Sequence, residues 1–264
     1  KIAGILLGIS AVQTVVIVSL ITVVYSAIGG YKGVLYTDFF QFMLAMAGMV
    51  WASIYIVNMP EIGGLSQLLS HPNIQGKMDF IPPMSDMDVV VPLLLIPLAV
   101  QWWSVWYPGA EPGGGGYIAQ RMLSAKDEKN AVIATLLFNV AHYALRPWPW
   151  ILIAFASMVV FPGLGDIAAK FPAIESTFVK DDLAFPAMLS YLPAGLLGLV
   201  IAALIAALMS TISTHLNWGS SYIVNDVYQR FVKPEASEKE LVFVARLSTV
   251  VLMILSAFLS LYLT

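Results

Sequence analysis

Four hydroxyl side chains occur close together inside a long apolar stretch, at Ser210, Thr211, Ser213 and Thr214. On helical spacing Ser210, Ser213 and Thr214 share one face, with Thr211 beside them and Ala207 one turn earlier. Hydroxyl and carbonyl oxygens are hard ligands, which suit a small alkali cation. Small hydroxyl residues also let membrane helices pack closely, so the spacing alone leaves a cation site and a packing face both open.

A second polar pattern crosses another apolar stretch. Thr135, Asn139, His142 and Arg146 fall on one face at helical spacing. Ionisable groups inside apolar stretches are costly and usually serve a pathway, so this face is expected to line a solute cavity. In the alternative, Arg146 caps carbonyls freed where two prolines break the helix, and His142 is an interior histidine with satisfied hydrogen bonds.

A third segment combines aromatic residues with helix breakers. It reads Gln101-Trp102-Trp103-Ser104-Val105-Trp106-Tyr107-Pro108-Gly109, and four glycines follow at Gly113 to Gly116. This density of Pro and Gly predicts an interrupted helix, and transporters expose backbone groups for ligands at such breaks. Aromatic faces suit the apolar face of a sugar ring, but the same residues could form an interfacial belt. The glycine run lacks the Gly-Lys-Ser/Thr ending of a phosphate loop.

Composition places these segments in a membrane. Of the 264 residues, 59% are hydrophobic and 11% charged, and the mean hydropathy is +0.83. The net charge of -3 predicts no nucleic-acid partner. The chain has no cysteine, which excludes disulfides, cysteine-bound metal sites and thiol catalysis. The start of the sequence does not resemble a signal peptide.

Six apolar stretches, uncharged except for Arg146 in the fourth, are long enough to cross a membrane, which takes roughly 20 helical residues. They are Ile2 to Tyr31, Phe39 to Pro60, Val89 to Ala110, Asn130 to Gly165, Leu183 to Asn225 and Leu247 to Thr264. We expect helices over about 2–30, 37–59, 89–109, 130–162, 193–230 and 240–264, in one transmembrane domain. A tight turn is expected at Gly29 to Gly33. Both ends lie in apolar runs, which predicts a fragment of a longer protein.

Positive charge predicts the orientation of these helices. Alternate loops on one side carry eight Lys and Arg residues, against three on the other side. The positive-inside tendency places the first group in the cytoplasm. The cytoplasmic group includes Lys233, and the segment from Lys233 to Glu238 is expected to be only a solvated connection.

Three motifs resemble the sodium/solute symporter family. They are Tyr36-Thr37-Asp38 after the Gly-Gly turn, Gln120-Arg121-Met122-Leu123-Ser124-Ala125-Lys126 before a helix, and Ala206 to Tyr228, which ends Asn225-Asp226-Val227-Tyr228. The family includes sodium/glucose cotransporters and bacterial sugar, sialic acid and proline symporters. The resemblance covers nearly the whole chain. It implies an all-α integral membrane protein with the inverted-repeat, leucine-transporter-like fold, in which the six stretches are core helices four to nine, the third one broken.

The resemblance also implies sodium sites. The family's main site uses a carbonyl and two hydroxyls of core helix eight, which match Ala207, Ser210 and Thr211. Its other ligands come from core helix one, which this chain is expected to lack along with core helices two, three and ten. Some members bind a second sodium ion, and its ligands match Asp38, Ser213 and Thr214 with Ser210 shared. A helix N-cap is the other role open to Asp38.

The resemblance to the sugar-transporting members also implies which residues contact the solute. Their stacking Tyr matches Tyr107, a hydrogen-bonding Asn matches Ser104, and a Lys matches His142. The nearby Trp106 and Asn139 complete the expected solute site. Arg146 has no counterpart in that pattern, and a guanidinium suits a carboxylate better than a neutral sugar.

The predicted function is sodium-coupled symport of a small organic solute by alternating access, with a sugar as the first expectation. A carboxylate such as sialic acid, or an amino acid, is the alternative solute, and a sodium-binding sensor or channel is the alternative of another class. The expected partners are Na+, the solute, the lipid bilayer of a bacterial plasma membrane and the remaining helices of the same transporter. No catalytic residues are expected.

Overall fold

The computed structural model describes residues 8–79, 81–101, 116–172 and 179–263. These residues are helical or irregular, and no strand occurs among them. The chain divides into two compact units. One comprises Lys1–Ile62 with Pro149–Thr264, and the other is Gly63–Trp148.

Eleven α-helices occur in the described part of the chain. They are α1 (Ala11–Val57), α2 (Leu65–Ser70), α3 (Pro72–Gln75), α4 (Met87–Val90), α5 (Gly116–Leu123), α6 (Glu128–Asn139), α7 (Pro147–Val160), α8 (Leu164–Lys170), α9 (Ala184–Leu189), α10 (Ala194–Ser221) and α11 (Glu238–Tyr262). Wider π-helical turns extend three of them: Val91–Leu95 and Pro97–Gln101 after α4, Val140–Leu145 after α6, and Tyr222–Val232 after α10. A short 3-10 turn, Asp181–Leu183, leads into α9.

Helix α1 is two helices joined at Gly30. It has 47 residues, about twice the length that one membrane crossing needs. Gly30 alone leaves the helical conformation, with φ 56° and ψ -164°. That positive φ is open to glycine and strained for residues with a Cβ. The break is therefore narrower than the turn expected over Gly29 to Gly33, and the second helix begins before residue 37.

Four helical runs of the described residues are long and apolar enough to cross a membrane. They are Val12–Val57, Glu128–Val160, Ala194–Val232 and Glu238–Tyr262. Met87–Val100 is a shorter apolar helix, and the rest of the helix expected over 89–109 lies mostly outside the described residues. The break expected near Gly113 to Gly116 also lies there, apart from Gly116 itself, which begins α5.

Side-chain caps set several helix starts. Ser10 and Gln13 form a reciprocal capping box at α1, with Ser10 Oγ accepting from Gln13 N at 3.2 Å. Asp127 Oδ1 accepts from Asn130 N at 2.8 Å and caps α6. Pro193, which has no N–H to satisfy, immediately precedes α10.

The core of the first unit forms where α10 packs against α1 and α11. Gly48 of α1 faces α10, and a Cβ there would lie 3.6 Å from Ala203 Cβ. Gly219 of α10 comes still closer to α11, since its Cβ would lie 3.1 Å from Leu252 Cδ1. Small residues thus let the backbones approach, as is usual between membrane helices. This packing sets α1 beside the hydroxyl-rich turns of α10.

Candidate functional site

Asp38 lies between two hydroxyl groups of α10. Ser210 Oγ donates to Asp38 Oδ1 at 2.6 Å, and Thr214 Oγ1 donates to Asp38 Oδ2 at 3.3 Å. All three side chains are partly buried. Asp38 is also the only charged residue in the sequence between Lys32 and Glu61. We call Asp38, Ser210 and Thr214 the carboxylate–hydroxyl cluster.

The N-cap role considered for Asp38 is wrong. The helix is continuous from Tyr31 to Val57, so Asp38 lies inside it, where the backbone N–H groups are already bonded. Its two carboxylate oxygens instead accept from side chains 172 and 176 residues away in the chain. Asp38 therefore links α1 to α10.

Ser213, expected as a ligand of the second sodium ion, makes its hydrogen bond within α10. Its Oγ is fully buried and donates to the carbonyl oxygen of Ser210 at 3.0 Å, within α10. The hydroxyl is thus not bonded to Asp38, although Ser210 and Thr214 on either side of it are. Ser213 supports the turn that carries Ser210.

The hydroxyls expected in the main sodium site have separate partners. Thr211 Oγ1 donates to the carbonyl oxygen of Ala207 at 3.0 Å, which brings two of the three expected ligands together. The third, Ser210, is bonded to Asp38. Ala207 and Thr211 are exposed in this chain. The face that they form is therefore open for a partner helix to cover.

Tyr25 belongs to the same region, although the pattern of hydroxyl residues did not indicate it. Its OH donates to the carbonyl oxygen of Met209 at 2.9 Å, next to Ser210. Two neighbours on α1, Thr22 and Ser26, are buried, and their hydroxyls have no hydrogen-bond partner within the part of the chain that the structure describes. A hydroxyl-bearing aromatic residue in an apolar stretch was the available signal for Tyr25, because its OH must find a partner when buried.

The polar stripe in the second unit is built by contacts within one helical run. Thr135 Oγ1 donates to Ala131 O at 2.8 Å, and Asn139 Nδ2 donates to Thr135 O at 2.8 Å. Arg146 Nη1 lies 3.0 Å from His142 Nδ1. Every one of these partners is four residues away, so helical spacing alone brings the stripe together.

Arg146 does not cap the carbonyls that the prolines free. Among the described residues its guanidinium bonds to the His142 ring and not to a backbone oxygen. Arg146 is exposed in this chain. An Arg at the centre of a membrane helix costs about 2.5–3.5 kcal/mol on insertion scales, so a polar cavity or partner is the expected surrounding.

Three expected solute residues, Ser104, Trp106 and Tyr107, lie outside the described residues. Of the solute site predicted from the sequence, the described residues therefore include His142, Arg146 and Asn139. These three lie within two helical turns of one another.

The segment from Lys233 to Glu238 is more than a solvated connection. Lys233 Nζ donates to both carboxylate oxygens of Glu240, at 2.9 and 2.8 Å, and Tyr228 OH donates to Oε1 at 2.6 Å. The hydrogen bond to Glu240, helped by its negative charge, raises the pKa of Lys233 above its usual range. These contacts connect the end of the π-helical turns that follow α10 to the first turn of α11.

Comparisons with known proteins identify the family. A family model described as the sodium:solute symporter family matches residues 2–263. The chain belongs to the sodium:solute symporter family. Its helical fold is accordingly part of the leucine-transporter-like inverted repeat, as predicted from the sequence.

Curated relatives in this family are named for several different solutes. A sodium/glucose cotransporter of Vibrio parahaemolyticus is 27% identical, over 95% of this chain and 47% of its own length. The human sodium/myo-inositol cotransporter 2 is 29% identical over 89% of this chain and 36% of its length. A sodium/proline symporter of Haemophilus influenzae is 28% identical over 88% of this chain and 43% of its length. The chain thus spans less than half of each relative.

A solved structure of a sodium:solute symporter shares the fold. It is described as the substrate-bound outward-open state of a Na+-coupled sialic acid symporter with a novel Na+ site. The TM-score is 0.70 at 25% identity, and the match covers 97% of this chain and 52% of that one. Within the described part of our chain, no three His, Cys, Asp or Glu residues group together as ligands for a transition metal.

Proposed function

We propose that this chain is the part of a sodium-coupled solute symporter that supplies sodium ligands from α10 and α1. The observation that carries the proposal is the carboxylate–hydroxyl cluster, in which Asp38 accepts from Ser210 at 2.6 Å and from Thr214 at 3.3 Å. Carboxylate and hydroxyl oxygens are the hard donors that Na+ accepts. Membership of the sodium:solute symporter family supports the same ion.

The cluster is suited to hold and release a cation. Each hydroxyl gives its hydrogen to Asp38 and keeps lone pairs that can face an ion. The bound Na+ is the coupling ion, and Asp38 balances its charge. Ala207 and Thr211, on the exposed face of α10, are proposed as ligands of the main site together with core helix one.

Sodium binding would then couple to solute binding. An ion held between α10 and another helix favours the conformation in which both contribute ligands, and a solute that prefers this conformation binds more tightly. The coupling is reciprocal, so solute must tighten sodium binding by the same factor. The solute moves by alternating access with no covalent step, and no catalytic residue is proposed.

A sugar is the first solute to test, because two of the relatives are named for glucose and myo-inositol. The relative named for proline and the neighbour named for sialic acid leave other small solutes as candidates. Uptake should therefore be measured with labelled sugars and labelled carboxylates.

The test is solute uptake into proteoliposomes by a full-length transporter that carries this chain, with and without an inward sodium gradient. Ser210→Ala should raise the sodium concentration for half-maximal uptake by on the order of tenfold or more, because a hydrogen bond to a charged group is lost. Ser220→Ala is the matched control, since among the described residues the hydroxyl of this buried serine on the same helix bonds to Asn217 O and not to Asp38. Sodium-independent uptake that Ser210→Ala leaves unchanged would contradict the proposal, and sodium binding without uptake would favour a sensor or channel.

A further inference from the structure

We propose that Arg146 and His142 recognise a carboxylate group on the transported solute. The inference rests on the proposed symport function and names the chemical class of its solute. Arg146 Nη1 lies 3.0 Å from His142 Nδ1, on one face of the helical run Glu128–Val160. The two side chains form what we call the guanidinium–imidazole pair.

The pair carries an unbalanced positive charge. Arg146 is the only charged residue in the sequence between Lys129 and Asp166. Among the described residues its side-chain partner is a histidine and not a carboxylate. A guanidinium can only donate, so His142 Nδ1 must accept, and the ring is then neutral with its proton on Nε2. A neutral ring does not offset the charge of Arg146.

The hydrogen-bonding groups left over are all donors. The contact with His142 uses one N–H of Nη1, which leaves the other N–H groups of the guanidinium fork and His142 Nε2–H. Parallel N–H donors match the two oxygens of a carboxylate, and such charge-assisted bonds are strong. A neutral sugar presents mixed donors and acceptors and has no charge to set against Arg146. The pair therefore fits an anionic group better than a hydroxyl.

Neighbouring rings hold His142 in place. The Phe138 ring stacks on it at 5.2 Å between centroids and 18° between planes. The Tyr143 ring meets it edge-on at 4.7 Å and 87°. A fixed imidazole fixes the guanidinium that donates to it, and a preoriented donor loses less entropy when the ligand binds. The site is thus organised before the solute arrives.

The experiment compares acids with neutral counterparts in the full-length transporter. Sialic acid is paired with its methyl ester, and glucuronate with glucose, in sodium-driven uptake and in thermal-shift binding. We expect each acid to bind better than its neutral partner. Arg146→Ala should weaken binding of the acid by on the order of 10- to 100-fold and remove the preference. Arg146→Lys should restore only part of it, because an ammonium lacks the planar fork.

Lys129→Ala is the matched control, a change of an exposed cation at the start of the same helical run, and should leave the preference intact. Because Arg146→Ala could fail to fold, His142→Ala gives a second measurement and should reduce the preference by a smaller factor. Sodium-driven uptake of an acid with an unchanged half-saturation in Arg146→Ala would overturn the inference and leave the proposed function standing. If no uptake follows sodium, the proposed function fails. Thermal shift then decides the inference: acid stabilisation that Arg146→Ala abolishes supports it, and no stabilisation by any acid overturns it.

Discussion

The carboxylate–hydroxyl cluster and the guanidinium–imidazole pair both set polar groups in apolar helices, but they are assembled differently. Asp38 meets Ser210 across 172 residues, because two helices pack together. Arg146 meets His142 across four residues, because one helix turns. A tertiary contact of this kind can open when helices move apart, whereas a contact within one helix persists. The first suits an ion that is bound and released, and the second suits a fixed recognition element.

Removal of Asp38 should have the largest effect, and it should change the sodium dependence of uptake and not the preference for acids. Asp38→Ala takes away an acceptor that both hydroxyls share and the only charge in the sequence between Lys32 and Glu61. The sodium concentration for half-maximal uptake should rise by on the order of 100-fold, since two hydrogen bonds to a charged group are lost. Acid preference measured without sodium should stay. Glu61→Ala, an exposed acid after the same helix, is the control, and overlapping sodium curves for the two variants would count against the cluster.

Moving α1 and α10 apart should disturb the carboxylate–hydroxyl cluster and leave the guanidinium–imidazole pair unchanged. A Cβ at Gly48 would lie 3.6 Å from Ala203 Cβ, which is ordinary contact, so Gly48→Ala should be tolerated. The larger side chain of Gly48→Leu must displace α10 and should cost about 1–3 kcal/mol of stability. Thermal unfolding and the sodium dependence of uptake measure this change. Equal melting of the Ala and Leu variants would show that the helices do not depend on this close approach.

The smallest effect is expected at the contact between Lys233 and Glu240, which belongs to neither region. Because Glu240 raises the pKa of Lys233, the stabilisation is complete below the ordinary pKa of Lys and is lost as pH rises through the raised value. Lys233→Gln should therefore lower the melting temperature slightly at neutral pH, and the difference from wild type should vanish in strong alkali. Sodium dependence and acid preference should not change. A pH-independent difference would mean that the charge of Lys233 is not what stabilises the contact.

Most of the fold class was predictable because membrane helices depend on local sequence. Long uncharged stretches indicated an all-α membrane protein, and the glycines near Gly30 indicated a break. The exact width of that break was not predictable, since Gly29 and Gly33 resemble Gly30 in sequence but remain helical. The connection after Lys233 was misjudged, because its partner Glu240 lies on the next helix.

The sequence by itself determined the two polar faces, since residues three or four apart on a helix share a face whatever packs around them. It placed Arg146 on the same face as His142 for the same reason, and the structure shows that the two side chains are in contact. The tertiary structure decided which hydroxyls reach Asp38: Ser210 and Thr214 do, and Ser213 turns to its own helix. Spacing on α10 treats these three residues alike, and only the position of α1 against α10 distinguishes them.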